Sequence, residues 1–483
     1  MMMDPAENRF SAPRSRRQFF MDCGLGLGSI ALASLAGESS DAERSARAVA
    51  GSSPFAPKPP HHEPRAKNVI YLFMMGGPSH IDLFEDKPAL RRFDGDTIPP
   101  SYVDGVRFEQ IRDKAPRIMG NPWPVWRRGE CGAPMSELLP HMAGIVDDVC
   151  FLRAVKTEET VHPNAQLKLF TGHRDHGRPS LGSWVTYGLG SESENLPGFV
   201  AYGRGAVPQA HDSLHSSAFL SSVYDGVKLR SRGAPILNLA NPAGVEPADA
   251  RRLIDTVNAL NELRAQETGD GEIAARISAY EMASRLQSSA PELIDLKDES
   301  QSTLDLYGAD LQQPSFARDC LLARRLVERG VRFVQVHHGD WDHHGNIVAG
   351  LPPRSREVDQ ASAALIHDLK QRGLLDETLV VWCGEFGRTP VAQPQKDAEV
   401  GRDHHVHAFS MWMAGGGVKP GFSFGQTDDL GMHPIKDSMH VHDLQATILH
   451  LLGLDHERLT YHYQGRDFRL TDIYGRVVEE MLV

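Results

Sequence analysis

Short, mostly apolar runs recur along this sequence, and each run ends at glycine, proline or charged residues. The clearest runs are residues 69–75, 149–155, 198–202, 331–336, 379–383 and 409–414. An apolar run of four to eight residues is typical of a strand that is buried on both faces, as in a parallel sheet. The pattern therefore predicts six strands of one buried sheet.

Segments with the apolar repeat of an amphipathic helix separate these runs. They are residues 136–146, 164–171, 316–329, 356–371 and 443–452. Alternating strands and helices are typical of an α/β fold that has a mostly parallel central sheet with helices on both faces. Residues 247–296 are charged and lack a strand pattern. This segment predicts a helical insertion in the domain.

The N-terminal part of the chain differs from the rest. Residues 1–50 contain the pair Arg16 and Arg17, followed by a weakly apolar, glycine-rich run at residues 23–37. This order is typical of a twin-arginine signal peptide. Two cleavage sites are open, after Ala36 or after Ala50. It predicts export by the twin-arginine machinery to a periplasmic or extracellular location. Residues 51–67, rich in proline and histidine, predict a linker before a domain at residues 68–483.

Charge and hydropathy exclude two classes of partner. The chain has a formal net charge of -12, from 63 acidic and 51 basic side chains. An acidic chain has no general attraction for a phosphate backbone, so we expect no nucleic-acid partner. No segment after the signal has the run of about 20 apolar residues that a membrane span needs. We therefore expect no integral membrane span after signal removal.

Histidines and carboxylates concentrate near the ends of the later predicted strands. The motifs are HHGDWDHHGN at residues 337–346, GEFGRTP at 384–390 and GRDHHVH at 401–407, and eight of the 23 histidines lie within residues 331–410. The carboxyl ends of parallel strands share one edge of a sheet, where functional groups gather. Imidazole mixed with carboxylate is the ligand set that zinc and similar metals select. The motifs predict a metal site at this edge.

Several longer motifs carry a family resemblance. They are GGPSHIDLFEDKP at residues 76–88, GRPSLGSWVTYGLG at 177–190, the WDHHGN, GEFGRTP and GRDHH motifs, and the closing segment 442–472. In this order they resemble an exported bacterial domain-of-unknown-function family, number 1501, which is placed beside the sulfatases and alkaline phosphatases. The resemblance covers residues 68–483 and implies a fold similar to that of sulfatases and alkaline phosphatases.

The resemblance also implies site residues. In that superfamily, acids and histidines that follow several strands surround one or two metal ions. The positions in this chain that match are Asp82, Asp342, His344, Glu385 and His405, with His404 as the alternative to His405. Asp340 would reproduce the superfamily's spacing to His344, but Asp342 fits the family's own motif. Asp82 has a second interpretation, as the cap of a turn.

The attacking group is the main departure from the superfamily. The C-x-P-x-R motif of sulfatases is absent, and His162 stands at the corresponding nucleophile position. Three roles stay open for His162: a nucleophile, a metal ligand, or an acid or base beside water that a metal activates. We favour attack by activated water. Arg388 would stabilise an anionic oxygen or pair with Glu385.

The function that follows is an exported metal-dependent hydrolase of phosphate or sulfate esters, including esters carried by carbohydrate. His404 or His162 would protonate the leaving oxygen. The histidine-rich ligand set favours a divalent metal, zinc or manganese, over calcium. The alternative is a non-catalytic protein on the same fold that binds a metal or a sulfated glycan, which the missing nucleophile supports.

Overall fold

The computed structural model describes residues 55–204, 210–230, 241, 244–269, 271–394 and 399–483. The predicted signal peptide and the start of the predicted linker lie outside these residues, so export stays a prediction. Residues 55–67 pack on the domain: the N–H of Ser191 donates to the carbonyl of Phe55, and the N–H of Arg65 to that of Leu451, each at 2.8 Å. This part of the predicted linker is held in place by the domain.

Strands β1 to β17 account for the β structure that is described. They are β1 (Asn68–Met74), β2 (Val125–Arg128), β3 (Ala133–Ser136), β4 (Val149–Lys156), β5 (Phe199–Arg204), β6 (Val227–Lys228), β7 (Phe333–His338), β8 (Thr378–Cys383), β9 (Gly387–Gln393), β10 (Gly401–His405), β11 (Phe409–Ala414), β12 (Phe422–Phe424), β13 (Gln426–Thr427), β14 (Pro434–Lys436), β15 (Met439–His440), β16 (Tyr461–Tyr463) and β17 (Arg466–Phe468).

Nine of these strands form the central sheet, in the order β12-β4-β11-β8-β1-β7-β5-β6, with β15 also paired to β4. Strand β1 pairs in parallel with β7 and β8, and β5 pairs in parallel with β6 and β7. Strand β11 is antiparallel to both of its neighbours. The predicted fold class, an α/β fold with a mostly parallel sheet, is confirmed.

Helices cover both faces of the sheet. They are α1 (His80–Leu83), α2 (Pro88–Arg92), α3 (Pro100–Val103), α4 (His162–Thr171), α5 (Leu181–Leu189), α6 (Pro247–Thr268), α7 (Gly271–Ile294), α8 (Gln301–Tyr307), α9 (Phe316–Glu328), α10 (Ile347–Gln371) and α11 (Val441–Leu451). Alternate residues of β1 show the two layers, because successive side chains of a strand point to opposite faces. Leu72 belongs to the core with α9 and α10, and Phe73 to the core with α4, α5 and α11.

One predicted helix is wrong. Residues 136–146 have a helical apolar repeat, but strand β3 ends at Ser136, and the structure then has two short 3-10 helices, Met142–Gly144 and Val146–Asp148. Pro140 lies in the middle of the segment and has no backbone N–H to donate, which disfavours a continuous α-helix.

Residues 247–296 contain the two long helices α6 and α7. Within the described ranges, none of the helices combines the length and the apolarity that a membrane crossing requires.

Candidate metal centre

Four side chains from three parts of the chain meet beyond the carboxyl edge of the sheet. His162 opens α4, Asp342 and His344 lie in the loop that follows β7, and His404 lies in β10. One ligand atom from each of the four lies within 4.8 Å of every other. We call His162, Asp342, His344 and His404 the metal cluster. The sequence predicted Asp342 and His344 as ligands and the two other histidines as catalytic groups.

The Asp342 carboxylate is the centre of the metal cluster. Its Oδ2 lies 3.3 Å from Nε2 of His162. Its Oδ1 lies 3.0 Å from Nε2 of His344 and 3.4 Å from Nε2 of His404. Ligand atoms bound at about 2.0–2.1 Å to one tetrahedral ion lie roughly 3.3 Å apart. The spacing therefore fits one small ion between these atoms.

The hydrogen bonds behind the three imidazoles support the same conclusion. Each Nδ1 faces an oxygen that only accepts, so each Nδ1 carries the hydrogen and each Nε2 keeps its lone pair in the neutral ring. The acceptors are the Glu385 carboxylate for His162 at 2.7 Å, the Gln393 amide oxygen for His344 at 2.6 Å and the Thr160 carbonyl for His404 at 2.6 Å. Outer hydrogen bonds of this kind orient metal-binding histidines.

Glu385, predicted as a ligand, stands behind His162 and is not one of the four clustered residues. Its carboxylate is fully buried and accepts the N–H of Gly76 at 3.0 and 3.1 Å and the amide of Gln166 at 3.0 Å. Burial alone would raise the pKa of Glu385, but the hydrogen bond and the charge of His162 and the hydrogen bond from Gln166 together outweigh burial and lower that pKa. Glu385 is therefore placed to hold His162 as a charged outer partner.

The acidic partners control the protonation of the cluster. Burial disfavours the charged form of His162, but the contacts with Asp342 and Glu385 and the negative charges of these two groups together outweigh burial and raise the pKa of His162 to about 9. Burial lowers the pKa of His404 to about 4. Burial would raise the pKa of Asp342, yet the three imidazoles and the Arg388 guanidinium around its carboxylate hold that pKa far below its usual range. Without a metal, a proton on His162 thus takes the place of the cation.

The shift predicts a pH dependence of the metal-free protein. The pKa of His162 rises from 6.5 to about 9 on folding. A raised pKa stabilises the fold fully below the unfolded value, and this contribution disappears as the pH rises through the folded value. We expect urea titrations in a chelator to show a free energy of unfolding that falls by at most about 3 kcal/mol between pH 6.5 and 9.

His162→Gln is the matched variant for that measurement, because it keeps a polar side chain but cannot titrate in this range. Its free energy of unfolding should not show the decline. An equal decline in the wild type and in this variant would assign the effect to other groups. Because the same proton competes with a cation, the affinity for zinc should rise over this pH range.

Arg388 has a positioning role in this geometry. Its guanidinium is wholly buried. It donates to the carbonyls of Gly76, Gly77 and Arg402 and, at 2.5 Å, to Oδ1 of Asp342. These bonds use four of the five guanidinium N–H groups, so protein groups hold this side chain in place. It pairs with Asp342 and not with Glu385.

Asp82 lies away from the metal cluster, in a buried ion pair. Both carboxylate oxygens accept from the guanidinium of Arg402 at 2.8 Å, and neither side chain is exposed. The Ser79 hydroxyl donates to the same carboxylate at 2.5 Å. This arrangement gives Asp82 a structural role, as the counter-charge of Arg402.

His405 also lies outside the metal cluster. It is buried, and its ring stacks on that of His80 with a centroid distance of 5.9 Å and an angle of 9° between the planes. Neighbouring residues of a strand point to opposite faces, so His404 and His405 cannot both face one ion. Asp340 is likewise outside the cluster, on the surface near Arg354.

Three glutamines around the metal cluster were not predicted from the sequence: Gln166 donates to Glu385, and Gln110 and Gln393 lie at His344. Gln166 follows His162 by four residues on α4, so helical spacing places both on one face and could have identified it. Gln110 and Gln393 have no such signal. Their amides bond to each other at 2.8 Å, and Gln110 also contacts Nε2 of His344 at 3.1 Å.

Three solved structures that are similar to this chain are the following. The lipoteichoic acid synthase LtaP from Listeria monocytogenes is 10% identical, with 88% of this chain and 80% of that chain covered and a TM-score of 0.36. The PsFucS1 sulfatase from Pseudoalteromonas sp. is 12% identical, with coverage of 87% and 73% and a TM-score of 0.36. A magnesium-bound variant of the TAB5 alkaline phosphatase is 12% identical, with coverage of 81% and 99% and a TM-score of 0.33.

Sequence comparison gives the family directly. No curated protein matches the chain. A family model described as "Protein of unknown function (DUF1501)" matches residues 66–482. This range contains the sheet and all four residues of the metal cluster, and it agrees with the predicted extent of the resemblance. The chain therefore belongs to the DUF1501 family.

Proposed function

We propose that this protein is a metal-dependent hydrolase of phosphate or sulfate esters, including esters carried by carbohydrate. The observation that carries the proposal is the metal cluster, in which three imidazoles and one carboxylate converge. The Asp342 side chain is 42% exposed, so solvent reaches the cluster from that side. A site that performs chemistry needs such an open side, where substrate and water enter.

The donor set fits zinc or manganese. Three neutral imidazoles and one carboxylate suit borderline ions, whereas calcium takes six to eight oxygen ligands. When bound, such an ion would polarise an ester oxygen and lower the pKa of a water molecule.

The surroundings of the cluster suit an anionic substrate. His162 is the first residue of the ten-residue helix α4, and Pro163 follows it. Free N–H groups and the macrodipole make the N-terminus of a helix attractive to anions. A phosphate or sulfate group that approaches the cluster would therefore meet the positive end of α4 as well as the cation.

The geometry of His162 favours water as the attacking group. Its Nδ1 is bonded to Glu385, and its Nε2 faces Asp342 in the cluster. Nδ1 is therefore engaged, and Nε2 points with its lone pair into the cluster, where a bound cation would occupy it. This supports a role for His162 as a ligand, with Glu385 increasing its basicity.

The second candidate is the non-catalytic binding protein. The metal cluster already supplies four protein ligands, the number in closed structural zinc sites. In addition, the Arg388 guanidinium already donates four of its five N–H groups to protein oxygens, which leaves one for an anionic oxygen of a substrate. Such a protein would hold a metal or a sulfated glycan without turnover.

The two functions differ in an assay of the chelator-treated protein after loading with zinc or manganese. We expect metal-dependent hydrolysis of an aryl phosphate or an aryl sulfate. His162→Ala should lower metal content and turnover together, and the control His173→Ala, at the other end of α4, should change neither. If His162→Ala keeps its metal and the wild type forms an acid-labile phosphohistidine, His162 is the nucleophile. Stoichiometric metal without turnover of either ester would favour the binding protein.

A further inference from the structure

A second group of imidazoles lies outside the metal cluster. His405 ends β10, His407 lies in the short link between β10 and β11, and His433 directly precedes β14. The ring centroids of His405 and His407 are 5.9 Å apart, and those of His407 and His433 are 6.1 Å apart. We call these three residues the second histidine cluster. None of them has a role in the proposed hydrolysis.

Two buried nitrogens of this cluster have no hydrogen-bond partner among the described residues: Nε2 of His405 and Nε2 of His407. The His405 side chain is only 1% exposed, so bulk water does not satisfy its nitrogen. Buried polar atoms in proteins are nearly always paired, and a buried atom without a partner often marks the place of a water molecule or an ion.

The other nitrogens show which atoms keep a lone pair. Nε2 of His433 lies 2.8 Å from the Tyr102 carbonyl, so it donates, and Nδ1 is left as the lone-pair nitrogen. In His405 and His407 the nitrogen without a partner is Nε2. A hydrogen bond from one ring nitrogen to a carbonyl leaves the other nitrogen available to a metal.

Two of the three ring pairs have the spacing of imidazoles that share one ion. With metal–nitrogen bonds of about 2.0–2.1 Å, two imidazoles on one ion have centroids roughly 5 to 6.5 Å apart. Both centroid distances in the second histidine cluster lie in this range. Among the described residues, only the metal cluster has at least three ligand atoms already within 4.8 Å of one another. Binding at the second cluster therefore requires rotation of its rings.

The backbone around the second histidine cluster is fixed in advance. The Asp428 carboxylate accepts the N–H groups of Leu430, Met432 and His433 at 3.0, 2.9 and 2.9 Å. These bonds hold the turn that carries the ring of His433. His407 lies between β10 and β11, which are both held by sheet pairing. Ring rotation is thus the main change that binding needs.

We propose that His405, His407 and His433 bind one borderline divalent cation of the zinc class, at a site separate from the metal cluster. Three neutral imidazoles suit zinc, copper and nickel and exclude calcium and magnesium, which take oxygen ligands. The ion would cross-link the β9–β10 hairpin to the segment before β14. The proposal does not depend on hydrolysis of any ester.

The test is the number of zinc ions per chain, measured by plasma mass spectrometry after chelation and equilibrium dialysis against zinc. We expect two ions for the wild type, one for His407→Ala with His433→Ala, one for Asp342→Asn with His344→Ala, and none for the four changes combined. The control His176→Ala with His462→Ala removes two exposed imidazoles elsewhere and should keep two ions. Circular dichroism checks the fold of each variant.

Each result supports or overturns one of the two sites. If the wild type and the His407→Ala, His433→Ala variant bind the same number of ions, the second site does not exist. The wild type could instead bind a single ion. If that ion stays bound in Asp342→Asn with His344→Ala and is lost in His407→Ala with His433→Ala, the second site is supported and the metal cluster is contradicted. If the double variant does not fold, His433→Gln alone replaces it. It should weaken zinc binding at the second site at least about tenfold, and unchanged binding would overturn the proposal.

Discussion

Asp342→Asn should remove both the metal and the activity. Asp342 contacts all three histidines of the metal cluster through its carboxylate, and it also accepts from Arg388. Asparagine keeps the size of the side chain but loses its charge. We expect metal affinity and ester hydrolysis to fall together by at least about 100-fold. Metal analysis and steady-state kinetics of the same preparation measure the two quantities.

Glu385→Gln provides the graded comparison for that variant. Glutamine can still accept a hydrogen bond from His162, but it no longer places a negative charge behind the ring. Changes behind a metal ligand cost about 10- to 100-fold in metal affinity, so the loss should be smaller than for Asp342→Asn. A larger loss for Glu385→Gln would instead make Glu385 a direct ligand, as the sequence analysis predicted.

Asp82→Ala should have the largest effect on stability. The change would leave the Arg402 guanidinium charged and without its counter-ion in a position that is fully buried. Removing one partner of a buried ion pair costs about 3–5 kcal/mol. Urea unfolding of the chelated protein measures this loss without a contribution from bound metal.

An exposed ion pair in the same part of the chain is the control. Asp86 and Arg91 lie 2.8 Å apart, with 26% and 43% of their side chains exposed. Exposed pairs contribute about 0–1 kcal/mol, so Asp86→Ala should unfold almost as the wild type does. The conservative Asp82→Asn should keep its zinc content. Loss of zinc from a folded Asp82→Asn protein would make Asp82 a ligand and contradict its structural role.

The sheet could be predicted from the sequence because its strands are buried on both faces. Runs such as residues 69–75 and 379–383 are apolar without interruption, and both became neighbouring strands, β1 and β8. The β9–β10 hairpin could not be recognised in the same way. Its buried residues include Arg388, Arg402, Asp403 and His404, so its sequence appears polar. The polar residues of this hairpin can be buried because they form ion pairs and hydrogen bonds. Such residues leave no apolar periodicity in the sequence.

The metal cluster was partly predictable for a related reason. Asp342 and His344 follow a strand, which places them at the carboxyl edge of the sheet, and both lie in the WDHHGN motif. Which acid faces the ion and which acid faces an arginine depends on side-chain partners that are far apart in sequence. Asp82 and Arg402 are 320 positions apart, and His162 and Glu385 are 223 apart. A single sequence does not contain these pairings.

The β10 strand has a consequence for how this chain tolerates insertions and deletions. Gly401–His405 pairs with β9, with a register shift between Arg402 and His404. His404 and His405 are joined by one peptide bond, yet they serve two different groups of imidazoles. Because side chains alternate along a strand, moving this segment by one residue would exchange the two histidines between its sides. An insertion or deletion among these five residues should therefore be tolerated less well than a substitution of any one of them.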